Sequence, residues 1–253
     1  MKPFEILGSA ETHDGQKLTL HRRDGGFFIF LDGEELMATR APGSERALAD
    51  LGCEDLPSKQ PRVLIGGLGL GFTLKAALDT LPSQATVVVS EAFDAVIEWN
   101  RTFLKDLQGG ALQDRRVSIA QGDVWDQLEE PGSFDSILLD VDNGPSAWCL
   151  ESNGRLYDRT GLERIRRALR PGGVLAVWSA YPGPAFVKLL KKRGFEAKSH
   201  RARSHGGKGN RHTIFVARVP QSGRPGAKSV SGAGRARHSP RKSSGSPARR
   251  RSR

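Results

Sequence analysis

Residues 62–81, RVLIGGLGLGFTLKAALDTL, decide the fold of this chain. The apolar run Val63–Ile65 is typical of a short, buried parallel strand. Beyond the glycines, apolar residues return at helical spacing from Phe72 to Leu81. A turn between strand and helix brings backbone N–H groups and a helix N-terminus close to a ligand, because glycine has no side chain in the way. The glycines that form this predicted turn are Gly66, Gly67, Gly69 and Gly71.

The spacing of these glycines favours one class of ligand. Residues 67–71 read G-x-G-x-G, whereas a dinucleotide fingerprint requires G-x-G-x-x-G/A and this chain has Phe72 at the last position. Alternate glycines are typical of sites for nucleosides of the S-adenosylmethionine type, which carry no pyrophosphate. From the turn alone, a purely structural role in an α/β protein stays open.

Charge is distributed unevenly along the 253 residues. Of the 39 Lys and Arg residues, ten lie between Pro220 and Arg253, where there is no acid, so residues 1–219 are nearly neutral. This stretch is rich in Ser, Gly, Pro and Arg and has almost nothing to bury, which predicts a disordered basic tail over residues 220–253. We expect the tail to bind polyanions weakly and in a salt-sensitive way.

Cysteine usage and hydropathy predict a cytoplasmic protein. Cys53 and Cys149 are isolated and form no C-x-x-C pair, which is typical of a reducing compartment and argues against a zinc site. The N-terminus has no signal-peptide apolar core, and no apolar run approaches the length of a membrane span.

Residues 1–43 are predicted to form a small β-meander. Strand-like runs are separated by Asp-Gly pairs, which favour hairpin turns because those turns need positive φ. So small a sheet is expected to pack on the following domain or on a second subunit, as in a homodimer. The next predicted element is a helix over residues 44–56 with Ser44 as its N-cap.

Strands and helices then alternate over residues 44–219, which predicts a mostly parallel sheet covered on both faces. Ligands of such sheets bind beyond the carboxyl ends of the strands, and here three successive strands end in acids. Glu91 lies 20 residues after Gly71, the spacing of an acid that accepts from ribose hydroxyls. Asp123 is placed to accept from an adenine amino group, and Asp140 to face the reacting end of the ligand.

The segment Asp140-Val141-Asp142-Asn143-Gly144-Pro145 forms the predicted acceptor side. An apolar strand runs directly into two acids, an amide, a glycine and a proline, which fixes a turn and directs oxygen acceptors into the crevice. Such acceptors suit a substrate amine, with Asp142 and Asn143 as substrate-binding residues.

Taken together, these features resemble the spermidine synthase family of aminopropyltransferases. The resemblance rests on the meander, the glycine turn, Glu91, Gly122-Asp123 and residues 134–140, FDSILLD. It implies a methyltransferase-type Rossmann fold, in which a mostly parallel seven-stranded sheet has its last strand antiparallel. It also implies that Asp140 is the catalytic Asp, which orients or deprotonates the acceptor, and that S-adenosylmethionine or decarboxylated S-adenosylmethionine is the co-substrate, without a metal.

Three departures from the family lie on the amine side. The glycine turn carries no acid, where aminopropyltransferases have Gly-Gly-Gly-Asp-Gly. Asn143 stands where the family has a second Asp. No Tyr-His-Glu segment precedes the main domain, and Arg40–Glu45 stands near its place.

The sequence therefore predicts a transferase that moves a methyl or aminopropyl group from a sulfonium to an amine. Three alternatives remain: a methyltransferase acting on RNA or protein, an NAD-dependent oxidoreductase, and a non-catalytic, nucleic-acid-associated member of the fold. The missing third fingerprint glycine argues against the oxidoreductase. The Lys- and Arg-rich region 188–211 favours nucleic acid only weakly, because no aromatic stacking surface accompanies it.

Overall fold

The computed structural model describes residues 3–12, 15–39, 42–141, 144–145, 153–205 and 208–221, and of these the side chains of His205 and Lys208 are not described. The predicted tail therefore lies almost wholly outside the described residues. The described part of the chain carries two sheets and six α-helices. Among its helices, none is long and apolar enough to cross a membrane.

The first sheet is the predicted antiparallel meander. Its strands follow chain order and are β1 (Glu5–Glu11), β2 (Lys17–Arg23), β3 (Gly26–Leu31) and β4 (Glu34–Ala38). Leu18, Leu20 and Ile29 are buried in the same apolar cluster as the central strands of the larger sheet. The meander thus packs on the following domain, the first of its two expected partners. The predicted domain boundaries at residues 43 and 219 stay predictions.

The second sheet has seven strands: β5 (Arg62–Gly66), β6 (Thr86–Glu91), β7 (Val117–Gln121), β8 (Phe134–Leu139), β9 (Leu169–Ser179), β10 (Glu196–His205) and β11 (Lys208–Arg218). Their spatial order is β10-β11-β9-β8-β5-β6-β7. The strands from β5 to β9 pair in parallel, whereas β11 runs antiparallel to both of its neighbours. The predicted fold is therefore confirmed, including the direction of the last strand.

The helices are α1 (Gly43–Cys53), α2 (Phe72–Thr80), α3 (Asp94–Arg101), α4 (Gly154–Tyr157), α5 (Arg159–Ala168) and α6 (Pro184–Lys192). The prediction that Ser44 caps α1 is wrong. The N-cap is Pro42, which makes no side-chain capping bond, and the helix spans Gly43–Cys53 instead of the predicted residues 44–56. Ser44 is buried in the first turn, and its hydroxyl donates instead to the Glu45 carboxylate at 2.6 Å.

The acid within the family-like segment 134–140 has a structural role. Asp135 is only 1 % exposed, and its Oδ2 accepts from the backbone N–H of Arg62 at 2.8 Å and from the Arg170 guanidinium at 2.6 Å. The carboxylate therefore connects the starts of β5 and β8 to β9. Because these three strands are adjacent, Asp135 helps to set the register that places their opposite ends at the cavity.

The glycine turn lies where β5 and β8 end side by side. The Asp140 N–H donates to Gly66 O at 2.9 Å, and the Gly67 N–H donates to Ser90 O at 2.8 Å. Gly67 has φ +87°, and a Cβ there would collide with the Asp140 carbonyl oxygen. A side chain at Gly67 is excluded both by the left-handed backbone and by the neighbouring strand.

Candidate active site

A cavity of about 750 Å³ opens at the carboxyl ends of the central strands. Its floor is formed by the glycine turn, the ends of β6 and β8, and the segment after β7. Apolar residues of the meander, among them Leu18, Ile29 and Met37, close it from the other side. The cavity falls within the size range of small-molecule sites, so the fold supplies a pocket at the position expected for such a sheet.

The glycines of the turn divide into two pairs. Gly67 and Gly69 line the cavity, both with positive φ. Gly66 and Gly71 lie outside its lining and hold the turn in place. Gly66 ends β5, and Gly71 is the left-handed N-cap residue of α2.

Glu91 is buried at the end of β6, with 7 % of its surface exposed. Its Oε2 accepts from the backbone N–H of Leu68 in the glycine turn at 2.8 Å, and its Oε1 accepts from the N–H of Phe93 at 3.0 Å. Burial raises the pKa of Glu91, and the surrounding backbone N–H groups oppose that rise. The carboxylate therefore supports the turn and also presents oxygen acceptors to the cavity.

Asp123 lies on the cavity wall after β7 and has two partners. Its Oδ1 accepts from the Trp125 N–H at 2.8 Å, and its Oδ2 forms an ion pair with Arg155 at 2.5 Å. The guanidinium of Arg155 also stacks on the Trp125 ring, 4.6 Å from its centroid. An adenine amino group that binds Asp123 must therefore share the carboxylate with Arg155.

Asp140 follows β8 and lines the same cavity. The Thr73 hydroxyl donates to its Oδ2 at 2.6 Å. Burial and the nearby charge of Glu45 raise the pKa of Asp140 to about 7, and the Thr73 hydrogen bond opposes them. A carboxylate that titrates near neutrality is suited to accept a proton from a substrate.

The lining of the cavity is strongly acidic. It includes five carboxylates and His212, and none of its described residues is Lys or Arg. A cavity with this charge attracts cations, and sulfonium and ammonium groups are both cationic. The five acids are Glu35, Glu45, Glu91, Asp123 and Asp140.

Within the described ranges, no group of three or more His, Cys, Asp or Glu residues could hold a metal ion. The expectation of metal-free chemistry stays a prediction.

Two predicted substrate-binding residues, Asp142 and Asn143, lie outside the described residues. The structure adds site residues that the sequence did not indicate, among them Glu45, Trp178 and His212. The one sequence feature that could have indicated Glu45 is its position near the place of the family's Tyr-His-Glu segment. Trp178 and His212 are far apart in the sequence. Their ring centroids lie 4.9 Å apart only because β9 and β11 pair in the sheet.

Fold and site together define the class of protein. A seven-stranded sheet of this order, with a glycine turn and an acid at the next strand end, is a methyltransferase-type Rossmann fold. Residues 43–182, more than half of the chain, match the family model of the spermine/spermidine synthase domain. The chain belongs to the spermine/spermidine synthase family.

Curated relatives include enzymes that transfer two different groups. The chain is 30 % identical over 171 residues to a polyamine aminopropyltransferase of Mycobacterium tuberculosis, covering 66 % of this chain and 31 % of that protein. It is 32 % identical over 124 residues to putrescine N-methyltransferase 1 of Nicotiana tabacum, covering 47 % of this chain and 30 % of that protein. The chain thus spans about a third of the length of these relatives.

Solved structures agree on the fold. The crystal structure of spermidine synthase from Thermotoga maritima superposes with a TM-score of 0.66 at 19 % identity, covering 84 % of this chain and 72 % of that one. A spermidine synthase in complex with the transition state analogue AdoDATO gives the same TM-score at 21 % identity. At this level of identity the likeness supports the architecture alone.

Proposed function

We propose that this protein is a transferase that moves an aminopropyl or methyl group from a sulfonium nucleoside to an amine. The observation that carries the proposal is the acidic cavity. In it, Glu91 accepts a hydrogen bond from the Leu68 N–H of the glycine turn, and Asp140 stands at the end of β8, the strand beside β5. The two transferred groups correspond to the activities for which the relatives are named, aminopropyl transfer and putrescine N-methylation. The acceptor is proposed to be a small-molecule amine.

Each part of the cavity has a proposed role in this reaction. Gly66, Gly67, Gly69 and Gly71 shape the turn against which the nucleoside lies. Glu91 accepts from the ribose hydroxyls, and Asp123 accepts from the adenine amino group. Phe93 and Val124 supply apolar surface beside these acids. Asp142 and Asn143 are proposed to contact the amine.

Chemistry at Asp140 follows from the charge balance of the transfer. A protonated amine has no lone pair, so one proton must leave before nitrogen can attack. Asp140 accepts that proton, the new C–N bond forms, and the C–S bond breaks with its electron pair going to sulfur. The sulfonium becomes a neutral thioether, and the reaction needs no oxidant or reductant. Orientation of the two reactants in the cavity supplies the rest of the rate enhancement.

Calorimetric titration with S-adenosylmethionine and decarboxylated S-adenosylmethionine, side by side, tests the proposed function. We expect at least one of them to bind, and the tighter ligand identifies the group that is transferred. Absence of binding by both nucleosides would contradict the proposal.

We expect weak or no aminopropyl transfer to putrescine. The glycine turn lacks the family's acid and Asn143 replaces another, and a charge-assisted hydrogen bond is worth about 1.5–3 kcal/mol. Two such losses correspond to about a hundredfold or more in affinity for a diamine. The measurement is turnover with decarboxylated S-adenosylmethionine and putrescine. Turnover of about 1 s⁻¹ or above, an ordinary enzyme rate, would show that the departures are tolerated.

A second candidate is a methyltransferase acting on RNA, and one observation favours it. Basic side chains of α6 and β10 are exposed, namely Lys188, Lys191, Lys192, Lys198, Arg201 and Arg203. RNA binding at low salt by a chain that ends at Gln221 would support this candidate, whereas binding that requires residues 222–253 would assign the affinity to the basic tail.

We also propose a homodimer formed through the meander, in the cytosol. Phe4 and Ile6 near its first strand are 37 % and 62 % exposed, which leaves apolar surface for a second subunit. Sedimentation equilibrium measures the stoichiometry, and a monomer at all concentrations would exclude the dimer.

A further inference from the structure

Glu45 belongs to α1, ahead of the first strand of the large sheet, yet its side chain lines the cavity. Close backbone packing fixes the position of this helix. A Cβ at Gly43 would lie 2.6 Å from the Arg203 carbonyl oxygen, and a Cβ at Gly52 would collide with the Leu138 side chain. Because both ends of α1 pack closely on the sheet, the helix has no room to slide, and Glu45 is held in the cavity that Asp140 also lines.

The two carboxylates have similar surroundings. Glu45 accepts from the Ser44 hydroxyl and Asp140 from the Thr73 hydroxyl, each at 2.6 Å. In the described part of the chain, neither carboxylate has a Lys, Arg or His within salt-bridge distance. Two half-buried acids that share a cavity and lack an internal cation are costly unless a ligand supplies the positive charge.

We propose that Glu45 and Asp140 together bind the ammonium group of the acceptor amine, with Glu45 as the second anionic partner of the reacting nitrogen. This inference rests on the proposed function. A primary amine suits this pair, because a primary ammonium has three N–H donors and can donate to both carboxylates. Glu45, which lies on a helix outside the Rossmann-type sheet, thereby supplies a carboxylate. The family has acids in the glycine turn and at the position of Asn143, and this chain has none there.

The two carboxylates have different proposed roles when the amine loses its proton. One proton leaves the ammonium before attack, and it passes to Asp140, whose pKa of about 7 makes it a base near neutrality. Burial raises the pKa of Glu45 as well, and its hydrogen bonds with the Ser44 hydroxyl and the backbone oppose that rise. In its ionised form Glu45 holds the amine in position. Its charge opposes ionisation of Asp140, so its removal lowers the pH at which Asp140 loses its proton. The other titratable side chains that line the cavity are Glu35 of β4, Glu91 of β6, Asp123 after β7 and His212 of β11.

The test compares Glu45→Gln with Asp50→Asn, which removes one charge from an exposed position on the same helix. The first measurement is a carbon NMR titration of nucleoside-free protein carrying ¹³Cγ-labelled Asp. We expect Asp140 to titrate at about pH 7 in the wild type, at a lower pH in Glu45→Gln, and unchanged in Asp50→Asn.

The second measurement is calorimetric titration of the nucleoside-loaded protein with butylamine and with putrescine. We expect Glu45→Gln to weaken amine binding by about 10- to 100-fold, the value of one charge-assisted hydrogen bond, with no change in nucleoside affinity. Asp50→Asn should bind like the wild type. Equal thermal midpoints would confirm that both variants are folded.

The inference and the proposed function fail in different ways. If the wild type binds an amine and Glu45→Gln binds it equally well, Glu45 is not a partner of the ammonium. An unchanged Asp140 titration in Glu45→Gln would also overturn the pairing. If the wild type binds no nucleoside, the proposed function itself fails.

Discussion

Replacing Asp140 with Asn is expected to lower the transfer rate by about 10²–10⁴-fold, the usual contribution of a general base. The substitution keeps the shape of the side chain, and the amide oxygen can still accept from the Thr73 hydroxyl, which donates to Asp140 at 2.6 Å. Nucleoside affinity should therefore change little. What is lost is the group that accepts the proton of the amine.

The pH dependence gives this prediction a second readout. Burial and the Glu45 charge raise the pKa of Asp140 from 3.8 to about 7. Asp140 is therefore neutral below that pH and a base above it, so the wild-type rate should rise through about pH 7 and this limb should be absent in Asp140→Asn. A carboxyl whose pKa is raised by folding also destabilises the protein as pH rises between those two values. At pH 8, Asp140→Asn should be at least as stable as the wild type.

Asp126→Asn is the matched control, because Asp126 is exposed and lies outside the cavity lining. Rates are measured with saturating nucleoside and amine across pH 5–9, and thermal midpoints are recorded at each end. A rate for Asp140→Asn within tenfold of the wild type, with the pH limb retained, would remove Asp140 from the proton transfer.

Replacing Glu91 with Gln is expected to weaken nucleoside binding by about 10²–10⁴-fold. We propose that the carboxylate accepts from two ribose hydroxyls, and each charge-assisted hydrogen bond is worth about 1.5–3 kcal/mol. Gln retains only one acceptor oxygen for the Leu68 and Phe93 N–H groups, both of which now donate to Glu91. Loss of the ribose contacts and loosening of the glycine turn both lower the affinity for the nucleoside.

Glu91→Ala should also destabilise the fold. It leaves the buried Leu68 N–H and the partly buried Phe93 N–H without their acceptor, and an unsatisfied buried group costs about 1–3 kcal/mol. Thermal midpoints separate this effect from binding, and Glu98→Gln on the exposed side of α3 is the control. If Glu91→Gln is folded and its dissociation constant matches that of the wild type, Glu91 does not belong to the nucleoside site.

Much of the fold could be predicted from local sequence. The run Val63–Ile65 and the glycines after it fixed a strand, a turn and a helix, because apolar spacing and the absence of Cβ atoms act over a few residues. Asp-Gly pairs located the hairpins of the meander for the same reason. Local pattern was a poorer guide at Ser44, because the Glu45 carboxylate, rather than a backbone N–H, became the partner of its hydroxyl.

The sequence by itself determined the class of fold and the acids at successive strand ends, since parallel strands bring their carboxyl ends to one edge whatever the details of packing. Only the tertiary structure decided which other residues join them. Glu45 joins Asp140 in the lining of one cavity because α1 packs closely on the sheet at Gly43 and Gly52. Arg155 pairs with Asp123 although 32 positions of the chain separate them. Such contacts depend on the summed packing of distant elements, which no short stretch of sequence specifies.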